Sequence, residues 1–204
     1  MGKLRGSVQN LSFSKLILIL FVVGTIIGTM FANALKPFYY NSFTAYKEQF
    51  LTTIQAIHID NLELFRMAII NHVKEYFLIW VISVTILGTP YIIYRDLYKG
   101  FMFGFLLSLA TMEYGFKGIG VFFMYLIPHY VIYIPVFYCT LLKVHELNKR
   151  INGKGSVSGI KKSVLLSYVP IFCIMLVLLV LGSLLESFVG SNLIIKFLLL
   201  VEES

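Results

Sequence analysis

Charged residues are scarce in this chain of 204 residues: only 13% are charged, whereas 58% are hydrophobic and the mean hydropathy is +0.85. A soluble domain of this length does not need so many apolar residues to build its core. The composition therefore indicates an integral membrane protein. The net charge of +7 does not indicate a nucleic-acid-binding protein, because the basic residues fall between apolar segments.

Catalytic motifs are also missing. The patterns H-E-x-x-H and G-x-S-x-G, a phosphate-binding P-loop and a dinucleotide fingerprint do not occur. Cys139 and Cys173 lie in different apolar segments, and we interpret them as packing residues, not as a redox pair. We therefore predict neither an enzyme nor a bound cofactor or metal. No metal-ligand spacing relates the four histidines, which are His58, His72, His129 and His145.

Long apolar runs are what the sequence does contain. Crossing a hydrocarbon core of about 30 Å takes roughly 20 helical residues, and five runs approach that length, although FMFGFLLSLATM is short. We predict an all-α fold, a polytopic membrane bundle of about five transmembrane helices that forms a single domain over residues 1–204. An amphipathic extracytoplasmic segment at 36–75 and a C-terminal interfacial segment at 186–204 complete it. The predicted spans are 16–35, 76–94, 97–114, 119–142 and 164–185.

The basic residues favour one orientation. With a cytoplasmic N-terminus, 11 of the 17 lysines and arginines lie inside, and the inner segments carry +9 against −2 outside. This count places Arg95 and Asp96 in an inner loop between the second and third spans, and Lys99 at the inner end of the third span. By the positive-inside rule we predict a multi-pass protein of the cell membrane with its N-terminus inside and its C-terminus outside. Ala32-Asn33-Ala34 resembles a signal-peptide cleavage site, but the first apolar run is longer than the usual signal-peptide core.

GTIIGTMFANALK, at the end of the first span, carries small and polar residues that a lipid-facing helix does not need. Small residues recur every four positions, and polar ones form a neighbouring stripe. The third span repeats the pattern, so we predict that the two helices touch through close backbone approach and interhelical hydrogen bonds. A face for a partner protein and a solute pathway are the open alternatives. The residues concerned are Gly24, Gly28, Ala32, Thr25, Thr29 and Asn33, and Gly100, Gly104 and Ser108.

The segment between the first two spans has apolar residues at helical spacing, interrupted in its middle. We predict a helical hairpin on the outer surface, with Asp60 or Asn61 capping its second helix and Glu63 in that helix's first turn. The hairpin either packs on the bundle or the headgroups, or docks an extracytoplasmic partner. The candidate docking residues are Phe50, Ile54, Phe65 and Ile69 on the apolar faces, and Glu63 and Arg66 on the polar side.

The fourth span contains IPHYVIYIP, in which Pro128 and Pro135 lack a backbone donor and are expected to kink the helix. We expect a structural role for His129, which can satisfy a freed carbonyl group. Proton handling is not expected, because no acid in the same segment is placed to pair with it. Glu113 and Glu186 come nearest to membrane depth, and both lie near the outer ends of their spans, which argues against an ion pathway.

Five pieces of sequence, in order, carry a family resemblance: GTIIGTMFANALK, WVISVTILGTP, YKGFMFGF, IPHYVIYIP and LLESFVGSN. Over residues 16–192 the chain resembles the stage II sporulation protein M family and the wider membrane family around it. In many relatives outside sporulation the fourth-span motif reads P-H-G followed by an acid before the second proline. Here Tyr130 and Tyr133 occupy those places. This departure removes a possible intramembrane acid and argues against transferring transport or proton chemistry from those relatives.

The resemblance implies a membrane scaffold. The sporulation proteins of this family act during engulfment, when the mother-cell membrane of an endospore-forming bacterium migrates around the forespore. They work with stage II sporulation proteins D and P, which degrade septal peptidoglycan, and the resemblance implies that this chain anchors them at the septal or engulfing membrane. The alternative is a membrane subunit of a transporter or exporter, which would need a polar route through the bundle.

Overall fold

The structure is a computed structural model that describes residues 13–38, 60–152, 162–190 and 193. The described chain is helical and contains no strand, so the predicted all-α fold is confirmed. The five long helices are α1 (Phe13–Phe38), α2 (Asn61–Ser83), α3 (Gly88–Tyr114), α4 (Phe116–Asn152) and α5 (Lys162–Leu185), and a π-helical turn follows α5 at Glu186–Gly190.

Three of the described helices are long and apolar enough to cross a membrane: α1, the part of α4 at Leu126–Ile151, and α5 with its π-helical turn at Val164–Gly190. The α2 and α3 helices, with 23 and 27 residues, are also longer than the hydrocarbon core requires, but both carry charged residues along their length. That α2 and α3 cross as well, which completes five spans, stays a prediction.

The α4 helix is the centre of the bundle, because it packs against α2, α3 and α5. Its inner half has the deepest burial: Leu141, Val144 and Leu147 expose no surface, and they join Ile79 of α2 and Ile92 of α3 in one apolar core. The predicted fourth span ended at residue 142, whereas α4 continues for ten residues into the predicted cytoplasmic loop. The extra length is stabilised because its buried face packs on the other helices.

The α1 helix touches two neighbours. At its beginning the ring of Phe13 stacks on His145 of α4 with 3.5 Å between ring centroids, and the Ser14 hydroxyl hydrogen-bonds the phenol of Tyr138. Farther along, α1 lies against α3 and runs in the same direction. If α1 and α3 both cross the membrane in the same direction, α2 must cross back between them, as the predicted topology requires.

The start of α2 follows the predicted capping pattern. The carboxylate of Asp60 accepts hydrogen bonds from the backbone N–H groups of Leu62 (2.9 Å) and Glu63 (3.4 Å), and Glu63 lies in the first turn. From there α2 runs without a break to Ser83. The second helix of the predicted hairpin is therefore the first part of α2. Its first helix, with Phe50 and Ile54, lies outside the described residues.

The chain reverses direction between α2 and α3 at residues 84–87. The side-chain amide of Asn148, on α4, donates to the carbonyl oxygens of Ser83 (2.7 Å) and Thr85 (2.6 Å) and accepts from the Thr89 hydroxyl (3.0 Å). Gly88 is required here, because a Cβ would overlap the backbone of Ser83 and the Asn148 amide. Carbonyl groups left without helical partners are thus satisfied from a third helix.

This turn corrects the predicted boundary between the second and third spans. The range 76–94 was predicted as one span, but the turn lies inside it, and residues 95–96, the predicted loop, lie within α3. Hydropathy does not separate the helices because WVISVTILGTPYIIY is apolar on both sides of the turn. The physical cause lies in Gly88 and Pro90, which suit a tight reversal and the first turn of a helix.

We predict that the two ends of α3 lie on opposite sides of the membrane. In a background that lacks Cys139 and Cys173, Phe116→Cys should react with an impermeant thiol reagent in intact protoplasts, because Phe116 is 93% exposed at the outer end. Ile86→Cys, 81% exposed in the α2–α3 turn, should react only after permeabilisation. Labelling of Ile86→Cys in intact protoplasts would contradict this topology.

Candidate functional site

The glycine stripe of α1 lies against α3 with the two backbones in contact. A Cβ placed on Gly28 would overlap the carbonyl group of Phe101, and one placed on Gly104 would overlap the carbonyl group of Thr25. Such an approach is possible only without side chains at these positions. Four glycines, two from each helix, form this contact: Gly24, Gly28, Gly100 and Gly104.

The neighbouring polar stripe bonds across the same contact. The Thr29 hydroxyl lies within hydrogen-bonding distance of two carbonyl oxygens, those of Thr25 (2.9 Å) and Gly104 (3.3 Å). The Asn33 amide donates to the hydroxyl of Ser108 (3.1 Å), and also to the carbonyl of Thr29 (2.8 Å). Ala32 is completely buried. The structure places the glycine stripe between α1 and α3, whereas the polar stripe lies at the edge of this contact, with Thr25 and Thr29 half-buried and Asn33 exposed.

We expect Gly28→Leu to lower the free energy of unfolding by about 1–3 kcal/mol, because the leucine must push α1 away from the Phe101 backbone. Ile27→Leu, at an exposed position one residue earlier, is the matched control and should change it by less than about 0.5 kcal/mol. The measurement is reversible denaturation in mixed micelles, followed by circular dichroism. Equal stability of the two variants would show that the α1–α3 contact is not as close as described.

His129 is buried in α4, with 2% of its surface exposed, and its ring lies 5.0 Å from Tyr130 and 5.5 Å from Tyr133. The helix continues through Pro128 and Pro135 as one element. A Cβ on Gly190, in the π-helical turn, would lie 3.6 Å from the His129 ring. The ring therefore packs where α4 meets the end of α5.

An acid from another helix reaches this part of α4. The hydroxyl of Tyr133 donates to Glu186 (2.9 Å) and hydrogen-bonds Ser183 (3.0 Å), while His72 Nε2 lies 3.1 Å from the same Glu186 oxygen. Gly182 lets the tyrosine ring lie directly on α5. Tyr133 thus stands where many relatives outside sporulation have an acid, but its hydroxyl hydrogen-bonds an acid supplied by the π-helical turn after α5. Reasoning from the fourth span alone does not identify Glu186 as a partner, because the contact is between helices.

A second polar cluster joins α2 and α3. The Arg95 guanidinium contacts one carboxylate oxygen of Glu75, and Lys99 Nζ donates to the other at 3.0 Å. Glu75 and Arg95 are only 21% and 18% exposed. Glu75 lies eight residues, about 12 Å, from the end of α2, and Lys99 eleven residues, about 16 Å, from the start of α3. The basic residues predicted for the cytoplasmic side of the membrane therefore lie halfway along the bundle.

One regularity in the sequence indicates this placement. The buried residues of α3 repeat every four positions, so the stripe recognised at Gly100 continues inward through Asp96 and Ile92. Because the stripe includes Asp96, the helix that carries the stripe must begin before residue 96. The complete series is Gly88, Ile92, Asp96, Gly100, Gly104 and Ser108.

We predict that Glu75→Gln lowers the free energy of unfolding by about 3 kcal/mol, near the lower end for breaking a buried ion pair, because it leaves Arg95 and Lys99 uncompensated in a partly exposed site. The matched control is Glu146→Gln, whose partners Lys143 and Arg150 are 43% and 55% exposed, and it should cost no more than about 1 kcal/mol. Denaturant titration in micelles measures both. A larger loss in the control would contradict the burial of the Glu75 cluster.

Between the two polar clusters is a cavity of about 270 Å³. Its walls are mostly aromatic and aliphatic side chains of the bundle helices, and it extends along α4 from Tyr130 to Thr140, about 15 Å. Asp96, 1% exposed, also lines it. The polar side chains that reach the cavity include His72, Glu75, Asp96, Lys99, Tyr133 and Thr140.

These features define a class: an all-helical membrane protein whose bundle interior holds charged residues and a cavity. A model of the stage II sporulation protein M family matches residues 17–191, and the chain belongs to this family. The match includes most of the described helical bundle. Comparisons with curated proteins and with solved structures found no match.

Proposed function

We propose that the chain is a non-enzymatic membrane scaffold of the sporulation engulfment machinery, which anchors or recruits the peptidoglycan-degrading stage II sporulation proteins D and P at the septal membrane. Membership of the stage II sporulation protein M family, which makes it a sporulation-related membrane protein, is the observation that carries the proposal. The partners and the septal location are what we infer from that membership.

The beginning of α2 supports this role as a surface that a partner can reach. Leu62 and Met67 are 68% and 53% exposed, and Glu63 and Arg66 are exposed beside them. Apolar side chains bordered by charged ones are typical of protein–protein interfaces. With the N-terminus in the cytoplasm, this end of α2 faces the compartment where wall-degrading enzymes act.

We predict that replacing both Glu63 and Arg66 with alanine reduces recovery of the D and P proteins in pull-downs from sporulating cells. Folding should be nearly unchanged, because exposed charges contribute only about 0–1 kcal/mol. The matched control replaces Lys149 and Arg150, two exposed charged residues in the last turn of α4, on the predicted cytoplasmic side. Loss of the partners in the control alone, at normal protein level and orientation, would show that docking does not use the start of α2.

A second candidate function, a membrane subunit of a transporter or exporter, is favoured by the Glu75–Arg95–Lys99 cluster and the cavity beside it. Ionisable groups inside a membrane bundle commonly mark solute or ion pathways. The two candidates differ in a direct measurement: a transporter subunit gives solute flux in liposomes or co-purifies with an ATPase, whereas the scaffold co-purifies with peptidoglycan hydrolases.

A further inference from the structure

The bundle cavity opens towards the lipid. Leu18 on α1 and Ile134 on α4 both line it, and they are 56% and 59% exposed. The two helices meet farther inward, where Ser14 contacts Tyr138. On the outer side of that contact, Leu18 and Ile134 border the cavity. Its mouth therefore lies between α1 and α4, at a depth where the helices are surrounded by lipid chains.

Asp96 supplies a hydrogen-bond acceptor that the described residues leave unused. Its side chain lines the cavity with 1% of its surface exposed, and Oδ2 has no hydrogen-bond partner within the described part of the chain. A buried carboxylate oxygen without a donor is costly. Lys99, the nearest lysine in the sequence, already donates to Glu75. The cavity therefore presents an open position for a donor.

The local charges indicate what kind of donor fits. Glu75 offsets one of the two positive charges on Arg95 and Lys99, and Asp96 offsets the other only when it is ionised, so the cluster carries no net negative charge. A ligand cation would add an uncompensated charge in a weakly polar interior. A metal ion is also disfavoured, because no group of three or more metal-ligating side chains occurs in the described ranges. A neutral donor such as a hydroxyl group satisfies Asp96 without this cost.

We propose that the cavity is a binding site for a hydroxyl-bearing amphiphile that enters from the bilayer between α1 and α4. Its hydroxyl donates to Asp96 Oδ2, and its apolar chain lies along the aromatic and aliphatic walls. Sites for small molecules have this combination of apolar walls and a few placed polar groups. The inference does not depend on the scaffold function, because it rests on the cavity alone.

The chain contains its own probe for this site. Trp80 is the only tryptophan, it is 8% exposed, and its ring lies 6.2 Å from that of Tyr76, which lines the cavity. Bromine quenches tryptophan fluorescence only at close range. An alcohol with bromine on the carbon next to the one that bears its hydroxyl carries the bromine at the Asp96 end of the cavity and should therefore quench Trp80, whereas the same molecule in bulk lipid reaches this buried ring poorly.

The experiment titrates 2-bromodecanol into the full chain in lipid nanodiscs and follows Trp80 fluorescence. We expect saturable quenching, weakened at least about tenfold by Asp96→Leu, since the buried hydroxyl of the ligand loses its acceptor. The methyl ether of the same alcohol, which cannot donate, and 2-bromodecylammonium, which adds a charge, should also bind at least about tenfold more weakly. Equal quenching in the wild type and Asp96→Leu, or by alcohol and ether, would overturn the proposal.

Because Asp96→Leu changes a buried charge, a second pair of variants tests the same site at its mouth. Ile134→Phe should slow the onset of quenching several-fold by narrowing the opening. Ile127→Phe, at an exposed position two turns away on α4 that does not line the cavity, should not. Identical onset in both would contradict entry between α1 and α4. Asp96→Asn, which keeps one acceptor oxygen and nearly the same shape, should bind with intermediate strength.

The hydroxyl can belong to a membrane lipid or to a free amphiphilic alcohol. A brominated diacylglycerol incorporated in the nanodisc separates the two sources. Saturable quenching by the diacylglycerol that depends on Asp96 assigns the site to a lipid headgroup. Quenching by 2-bromodecanol alone, with the same dependence on Asp96, assigns it to a single-chain alcohol, and both results support the site.

Discussion

The position of the α2–α3 turn is the constraint on which the rest of the bundle depends. Asn148 of α4 holds the carbonyl groups of Ser83 and Thr85, and Gly88 leaves the space that this contact needs. Because the turn is fixed there, α3 begins at residue 88, and each residue after it has a defined depth and face. A later turn, at residues 95–96, would have placed Arg95 and Asp96 in the cytoplasm and Lys99 at the membrane surface, where they would need no partners within the bundle.

With the turn in place, the bundle must compensate several charges between its helices. It does so in two places: Glu75 with Arg95 and Lys99 between α2 and α3, and Glu186 with His72 and Tyr133 where α2, α4 and α5 meet. Each acid obtains its partners from a different helix, so these contacts also fix which helices are neighbours. Asp96 differs, because one of its oxygens faces the cavity without a donor in the described chain.

Family membership and the bundle interior lead to separate proposals about function. Membership of the stage II sporulation protein M family makes the chain a sporulation-related membrane protein, and from it we propose a scaffold that acts through the outer end of α2. The cavity lies between helices, away from that end, and its chemistry is that of a site for a bilayer-borne alcohol. Docking of a partner and binding of an alcohol are compatible, because the residues proposed for docking at the start of α2 do not line the cavity.

The sequence alone determined the membrane environment and the helical class, and it limited the cap of α2 to Asp60 or Asn61 and identified the small-residue faces of α1 and α3, because each depends on composition or on spacing within a single helix. It also identified the family through short motifs in order. Only the tertiary structure decided the register of α2 and α3, the partners of Glu75 and Glu186, and the position of Asp96 at the cavity. Hydropathy is almost the same on both sides of the turn at residues 84–87, and the group that fixes this turn, the Asn148 amide, is more than sixty residues away in the chain. Contacts of that kind follow from helix packing, which no local pattern contains.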